Sequence, residues 1–287
     1  MASARPPASS KKPARSRPLL LLSAAALCAA GGLLVTLWPS GAARTAVSTP
    51  STAAQAAVRY SFTVLNSYPH DPEAFTQGLV YRKGVLFEST GLNGRSSLRR
   101  VQPETGEVLN RVDVSREHFA EGLTDWDGAL IQLTWQSHLG FVYDMDTFEH
   151  RSTFSYPGEG WGLTQDGHRL ILSDGTNTLR FLDPQTFAET GRLAVTERGY
   201  AVNNLNELEM VNGELFANIW QTDDVVVIDP VTGHVTARID FGSLRAKLNT
   251  TRPIDVLNGL AWDSDGARLF VTGKLWPRMF AVRIVRS

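Results

Sequence analysis

Five positions spread along the chain hold residue types that could handle a proton: Gln77, Glu121, Trp161, Asn206 and Asn258. Four of them stand directly before Gly-Leu, and Asn206 stands before Glu207-Leu208. One carboxylate among amides and an indole is an unusual set. A carboxyl group in apolar surroundings is held toward its neutral form, so it can take up and return a proton near neutral pH. The same residues have a plainer use, because amides and a glutamate can satisfy channel waters and exposed backbone groups. Residue type alone leaves both uses open.

Aromatic residues keep step with this series. Trp135 follows Glu121 by fourteen residues and Trp220 follows Asn206 by fourteen. Phe75 and Phe119 lie two residues before Gln77 and Glu121. Lys274 and Trp276 follow Asn258 by sixteen and eighteen residues. If the series converges in space, Phe75, Phe119, Trp135, Trp161, Trp220 and Trp276 can wall an apolar pocket around it. Lys274 would then pair with the single carboxylate, orient it, or stabilise a developing oxyanion. Taken one at a time, the tryptophans read equally well as core and the lysine as a solvated loop residue.

Other chemistries lack their residues. The six histidines (His70, His118, His138, His150, His168 and His234) show no HxH or HExxH spacing. With no cysteine partner either, a catalytic zinc site is not expected and no cofactor is implied. No GxSxG elbow or phosphate-cradling glycine loop is present, so Ser-His-Asp catalysis has no support.

The elements that must position these residues repeat. Successive members of the series are 44, 40, 45 and 52 residues apart. After each comes an apolar run, such as Val85-Leu86-Phe87 or Leu269-Phe270-Val271, and then a strand-like segment ending in Asp, as at Asp144, Asp183 and Asp229. Short alternating segments divided by Gly, Pro, Asn and Asp, with no helical period, predict an all-β protein. Four strands per repeat predict a blade, and five repeats predict a five-bladed β-propeller of four-stranded antiparallel blades over residues 59–287. A ring must close to hide its edges, so Tyr60–Leu65 is expected to complete the last blade beside Met279–Val285. First residues of innermost strands meet at one mouth of a propeller, which would bring the five positions together.

The front of the chain differs. Up to position 58 it holds Arg5, Lys11, Lys12, Arg15, Arg17 and Arg44 and no acidic residue. The remaining 22 Lys and Arg face all 29 Asp and Glu, a formal charge of about −7, which disfavours nucleic acid as a partner. Residues 1–18 read as a basic cytoplasmic region, and the uncharged residues 19–38 as a signal peptide or an uncleaved signal anchor. Residues 39–58, small and polar, read as a flexible tether. The expected location is therefore outside the cytoplasm, periplasmic or extracellular, with membrane contact only through residues 19–38. Cys28, the single cysteine, lies within that segment, so the propeller has neither disulfide nor reactive thiol.

Longer phrases carry a resemblance: Tyr68–Gly78, Leu86–Gly91, Phe119–Leu123, Gly160–Gly162, Leu205–Glu209, Asn218–Asp223, Val256–Gly259 and Thr272–Pro277. In these stretches, in order over residues 60–287, the chain resembles the glutamine cyclotransferase family of plants and bacteria, the papaya-latex type. The resemblance implies a metal-independent, five-bladed acyltransferase that converts N-terminal glutamine of peptides and proteins to pyroglutamate with release of ammonia. It implies Glu121 as general acid/base, with Asn206 and Lys274 as polar partners. Gln77, Phe75, Phe119, Trp135, Trp161 and Trp220 fall on the substrate pocket. A monomer acting on peptide or protein substrates is expected. Two other readings remain: a non-catalytic exported propeller that binds a partner, and a lactonase-like hydrolase, which would need a channel calcium and several carboxylates where this series has one.

Overall fold

A computed structural model describes residues 56–286. The basic region and the signal or anchor segment lie outside the described residues, as does most of the tether. Where the tether overlaps them, Ala57 packs against the fourth blade and Val58–Arg59 forms a short parallel edge strand on it.

Five antiparallel sheets follow in chain order. Blade I comprises Thr76–Arg82, Val85–Thr90, Ser97–Val101 and Val108–Asp113. Blade II comprises Ala120–Trp126, Ala129–Thr134, Leu139–Asp144 and His150–Ser155. Blade III comprises Leu163–Gln165, Leu170–Leu172, Thr178–Leu182 and Glu189–Ala194. Blade IV comprises Leu205–Val211, Glu214–Ile219, Asp224–Ile228 and Val235–Asp240. Blade V takes three strands from the C-terminal end, Leu257–Asp263, Arg268–Gly273 and Arg278–Val285. Its outermost strand, Ser61–Pro69, comes from the N-terminal end and pairs antiparallel with Arg278–Val285. This is the expected closure, and it ties the first strand of the ring to the last.

The Asp at the end of the third strand in blades II, III and IV has a local cause. Its carboxylate turns back onto the chain: Asp144 Oδ1 accepts the amides of Asp146 and Thr147, Asp183 Oδ1 those of Gln185 and Thr186, and Asp229 Oδ1 that of Val231. These Asx turns lead into the outer strands. The long 52-residue step between Asn206 and Asn258 is filled by a 3₁₀ turn, Gly242–Lys247, and the loop after it.

The core is divided among the seams between blades. Val80, Phe87 and Leu98 of blade I meet Leu123, Leu130 and Tyr143 of blade II, and each of the other four seams has a similar apolar cluster. Fully burying one such side chain contributes about 1.5–3 kcal/mol.

At the axis the packing is too tight for side chains, which explains the glycines. A Cβ on Gly78 would lie 2.5 Å from Leu123 N, one on Gly122 2.5 Å from Leu163 N, and one on Gly162 2.0 Å from the Asn206 carbonyl oxygen. Each Gly thus lets one innermost strand approach the next. The fourth blade has Glu207 in this place, and its carboxylate reaches across the axis. It accepts Leu260 N of blade V at 3.0 Å and Leu79 N of blade I at 3.4 Å.

Candidate active site

Gln77, Glu121, Asn206 and Asn258 each occupy the second position of their blade's innermost strand, and Trp161 lies just before the third. All four polar members are buried. Asn258 Nδ2 donates to the Thr76 carbonyl at 3.0 Å and to Gln77 Oε1 at 3.4 Å, and Gln77 Nε2 donates to Glu121 Oε1 at 3.0 Å. Blades V, I and II are thereby joined by one chain of amides ending on the carboxylate. Asn206 Oδ1 and Asn258 Oδ1 are buried without a protein partner. Such an atom carries a free-energy cost until a ligand or water meets it.

Burial pushes the Glu121 carboxyl well above the ordinary glutamate range, with the Lys274 charge pulling it down and the Glu159 charge pushing it further up. Burial pulls Lys274 below its usual value, while Glu121 and Asp255 act to raise it. Glu121 is therefore drawn toward its neutral form, the condition for exchanging a proton near neutral pH, while Lys274 faces it as a cation.

The backbone fixes Lys274 on both sides. Lys274 N donates to Val256 O and its carbonyl accepts Asp255 N, both at 2.9 Å. Leu275, in the left-handed region at φ 62°, then turns the chain so that its amide reaches Ala74 O of the loop before blade I. The Lys274 ammonium sits 5.0 Å above the Phe75 ring. Behind this loop, His70 Nδ1 contacts Trp276 O at 2.6 Å and His70 Nε2 contacts Glu88 Oε1 at 2.9 Å.

Phe75, Phe119, Trp135, Trp161 and Trp220 are all partly exposed, as pocket walls are. Phe75 and Phe119 meet edge to face, Phe119 and Trp135 likewise, and Trp161 and Trp220 likewise, with centroids 6.1, 5.7 and 5.4 Å apart. Trp276 is a correction. It shares the spacing of the others but is 0% exposed and belongs to the core between blades IV and V. Its indole folds back under Gly273, where a Cβ would lie 2.4 Å from the ring, and its Nε1 donates to Asp255 O.

Two acidic residues escaped the sequence reading. Glu159 is bonded to two of the pocket tryptophans, and its only signal is a place two residues before Trp161 in a Pro-Gly turn. Glu207 was visible as the break in the Gly-Leu series, but its reach across the axis was not. Among the described residues no group of three His, Cys, Asp or Glu is arranged to hold a metal ion.

Fold and mouth together describe a five-bladed propeller whose channel opens at one buried carboxylate in an aromatic cup. Among known proteins, the glutamine cyclotransferase family profile matches residues 37–284. A curated relative from Arabidopsis thaliana, glutaminyl-peptide cyclotransferase, is 45% identical over 230 residues, covering 78% of this chain and 71% of that protein. The crystal structure of Myxococcus xanthus glutaminyl cyclase superposes with a TM-score of 0.75 at 41% identity, covering 80% of this chain and 98% of that one. The chain belongs to the glutamine cyclotransferase family.

Proposed function

We propose that this member of the family, an acyltransferase of the glutaminyl-peptide cyclotransferase type, cyclises N-terminal glutamine to pyroglutamate without a metal, using Glu121 as general acid/base. The observation that carries the reading is the Glu121 carboxyl itself: buried, held toward neutrality, and facing the Lys274 cation. Glu121 and Glu159 are the carboxylates of the mouth, and among the described residues no three His, Cys, Asp or Glu are grouped to hold a metal ion, a poor donor set for zinc.

The substrate's α-amine attacks the carbon of its own γ-carboxamide. A C–N bond forms, an oxyanion develops, and the C–NH₂ bond then breaks. Because both partners lie in one residue, orientation and proton movement are the enzyme's tasks. Glu121 accepts the proton from the attacking amine and returns it to the departing nitrogen, which leaves as ammonia. Such a shuttle is worth about 10²–10⁴-fold in rate. The free Oδ1 of Asn206 accepts from the γ-amide, and Lys274 stabilises the oxyanion. Gln77, already donating to Glu121, holds its carboxyl in line. The aromatic cup takes the apolar stem of the glutamine and leaves later residues of the peptide outside.

The enzyme works as a monomer outside the cytoplasm, carried across the membrane by residues 19–38. The test is incubation with a Gln-initiated peptide, with and without chelator, followed by mass spectrometry. Loss of one ammonia in both arms is expected; loss only without chelator would overturn metal independence, and no loss in either would leave a binding propeller.

A further inference from the structure

The aromatic cup is two walls rather than one. Lys274, Phe75, Phe119 and Trp135 form a continuous series from blade V through blades I and II. Trp161 and Trp220 form a second pair on blades III and IV. Between Trp135 and Trp161 the edge-to-face series is interrupted, and a carboxylate fills the break. Glu159 Oε2 accepts Trp135 Nε1 at 2.7 Å and Trp161 Nε1 at 2.9 Å, while its Oε1 accepts Gln136 Nε2 at 2.9 Å. Hydrogen bonds to an ionised acceptor are about twice as strong as neutral ones.

The turn that carries Glu159 is itself anchored. The Pro157 carbonyl accepts Arg180 Nη1 at 2.7 Å, the Gly158 carbonyl contacts His138 Nδ1 at 2.6 Å, and Gly160 N donates to Trp135 O at 3.2 Å. No side chain fits at Gly160, where a Cβ would lie 2.3 Å from the Tyr156 hydroxyl.

We infer that Glu159 is a positioning residue that joins the two aromatic walls by fixing both indole N–H groups on one oxygen, and so sets the width of the substrate pocket. This rests on the function proposed above. Glu159 touches no reacting atom. Its carboxyl is ionised: burial acts to raise it, but the bonds from Gln136, Trp161 and Trp135 hold it below the ordinary range. It therefore also keeps a negative charge beside Glu121, alongside Lys274 from blade V and the Tyr156 hydroxyl from the far side of the turn.

The test compares Glu159→Ala with Glu159→Gln, the latter keeping a carbonyl acceptor for the indoles but not the charge. With a Gln-initiated peptide, Glu159→Ala is expected to raise KM roughly tenfold, the cost of losing charge-assisted bonds, with kcat changed less. Glu159→Gln should restore KM. In it the acid limb of the kcat/KM profile should move to lower pH, because Glu121 loses a repelling neighbour. A KM within twofold of the unmodified enzyme in Glu159→Ala would overturn the inference, as would a Gln variant whose KM is raised as much as that of the Ala variant. Indole fluorescence during peptide titration of the same variants reads the walls without turnover. If the unmodified protein binds the peptide but releases no ammonia, the proposed reaction fails, while a weakened titration in Glu159→Ala alone still supports the joint.

Discussion

Two buried glutamates lie a short way apart along the propeller axis and serve opposite ends. Glu121 stands at the mouth and Glu207 one strand position deeper, in the place where four blades have glycine. Burial pushes both carboxyls well above the ordinary range, helped at Glu207 by the Glu209 charge and opposed there by bonds from Leu79 and Leu260 amides. Both oxygens of Glu207 are used by backbone, whereas Glu121 has a single amide partner and a cation facing it. A buried acid whose bonds are all made is part of the frame. One left partly unsatisfied beside a cation and two unpartnered amide oxygens is equipped to act on something that arrives.

That contrast can be broken first at the neighbours of Glu121. Asn206→Ala and Lys274→Ala should each lower kcat by about 10²–10³-fold, the cost of losing one preorganised polar contact to the transition state. Steady-state ammonia release measures this. In Lys274→Ala the Glu121 carboxyl loses its attracting cation, so the acid limb of the rate profile should shift to higher pH. A small loss of kcat with that shift would make Lys274 an orienting group rather than an oxyanion partner.

The opposite pattern is expected at Glu207. Glu207→Ala leaves the Leu79 and Leu260 amides buried without an acceptor, at about 1–3 kcal/mol each. The thermal midpoint should fall by several degrees, at roughly 2–4 °C per kcal/mol for a domain of this size. Turnover per folded molecule should stay near that of the unmodified enzyme. A Glu207→Ala variant with an unchanged midpoint would remove Glu207 from the frame.

The smallest effect concerns the pair that backs the Lys274 loop. Burial alone would lower His70, but the charge and hydrogen bond of Glu88, with the Trp276 carbonyl, raise it overall. Burial would raise Glu88, yet His70 and Arg99 bring it below its ordinary value. The His70 contribution to stability is then fully present below its unfolded value near 6.5 and is lost as pH rises through its higher folded value. The Glu88 contribution is present above 4.5 and is lost as pH falls through its lower folded value. Comparing thermal midpoints of His70→Gln and the unmodified protein across pH should show the widest gap between those two values. The gap should shrink toward alkaline pH as His70 loses its proton. A gap constant across pH would mean that His70 is held neutral.

The fold was legible because its strongest constraint is local and repeated. Gly78, Gly122 and Gly162 recur since the backbone of the next inner strand crowds each of them, Gly259 since its φ of 118° favours glycine, and Asp144, Asp183 and Asp229 recur since each closes its own turn. The ring positions followed from the same register, which the structure brings to one mouth through Asn258, Gln77 and Glu121. Phase alone failed at Trp276, because the left-handed Leu275 reverses the chain and sends the indole into the seam. Glu159 and Glu207 were illegible for a different reason. Each joins residues that only tertiary packing makes neighbours, as Glu207 does for Leu79 and Leu260, which are 128 and 53 residues away.

The most direct measurement makes the same change in both glutamates. Glu121→Gln and Glu207→Gln, at equal folded concentration, are assayed for ammonia release from a Gln-initiated peptide and for thermal midpoint. Glu121→Gln should melt close to the unmodified enzyme, whereas Glu207→Gln should melt lower, because its NH₂ group faces one of the two backbone N–H donors that the carboxyl oxygens accept. Only Glu121→Gln should lose turnover, by about 10²–10⁴-fold. Undiminished turnover in Glu121→Gln would contradict the assignment of the proton shuttle to the mouth of the propeller.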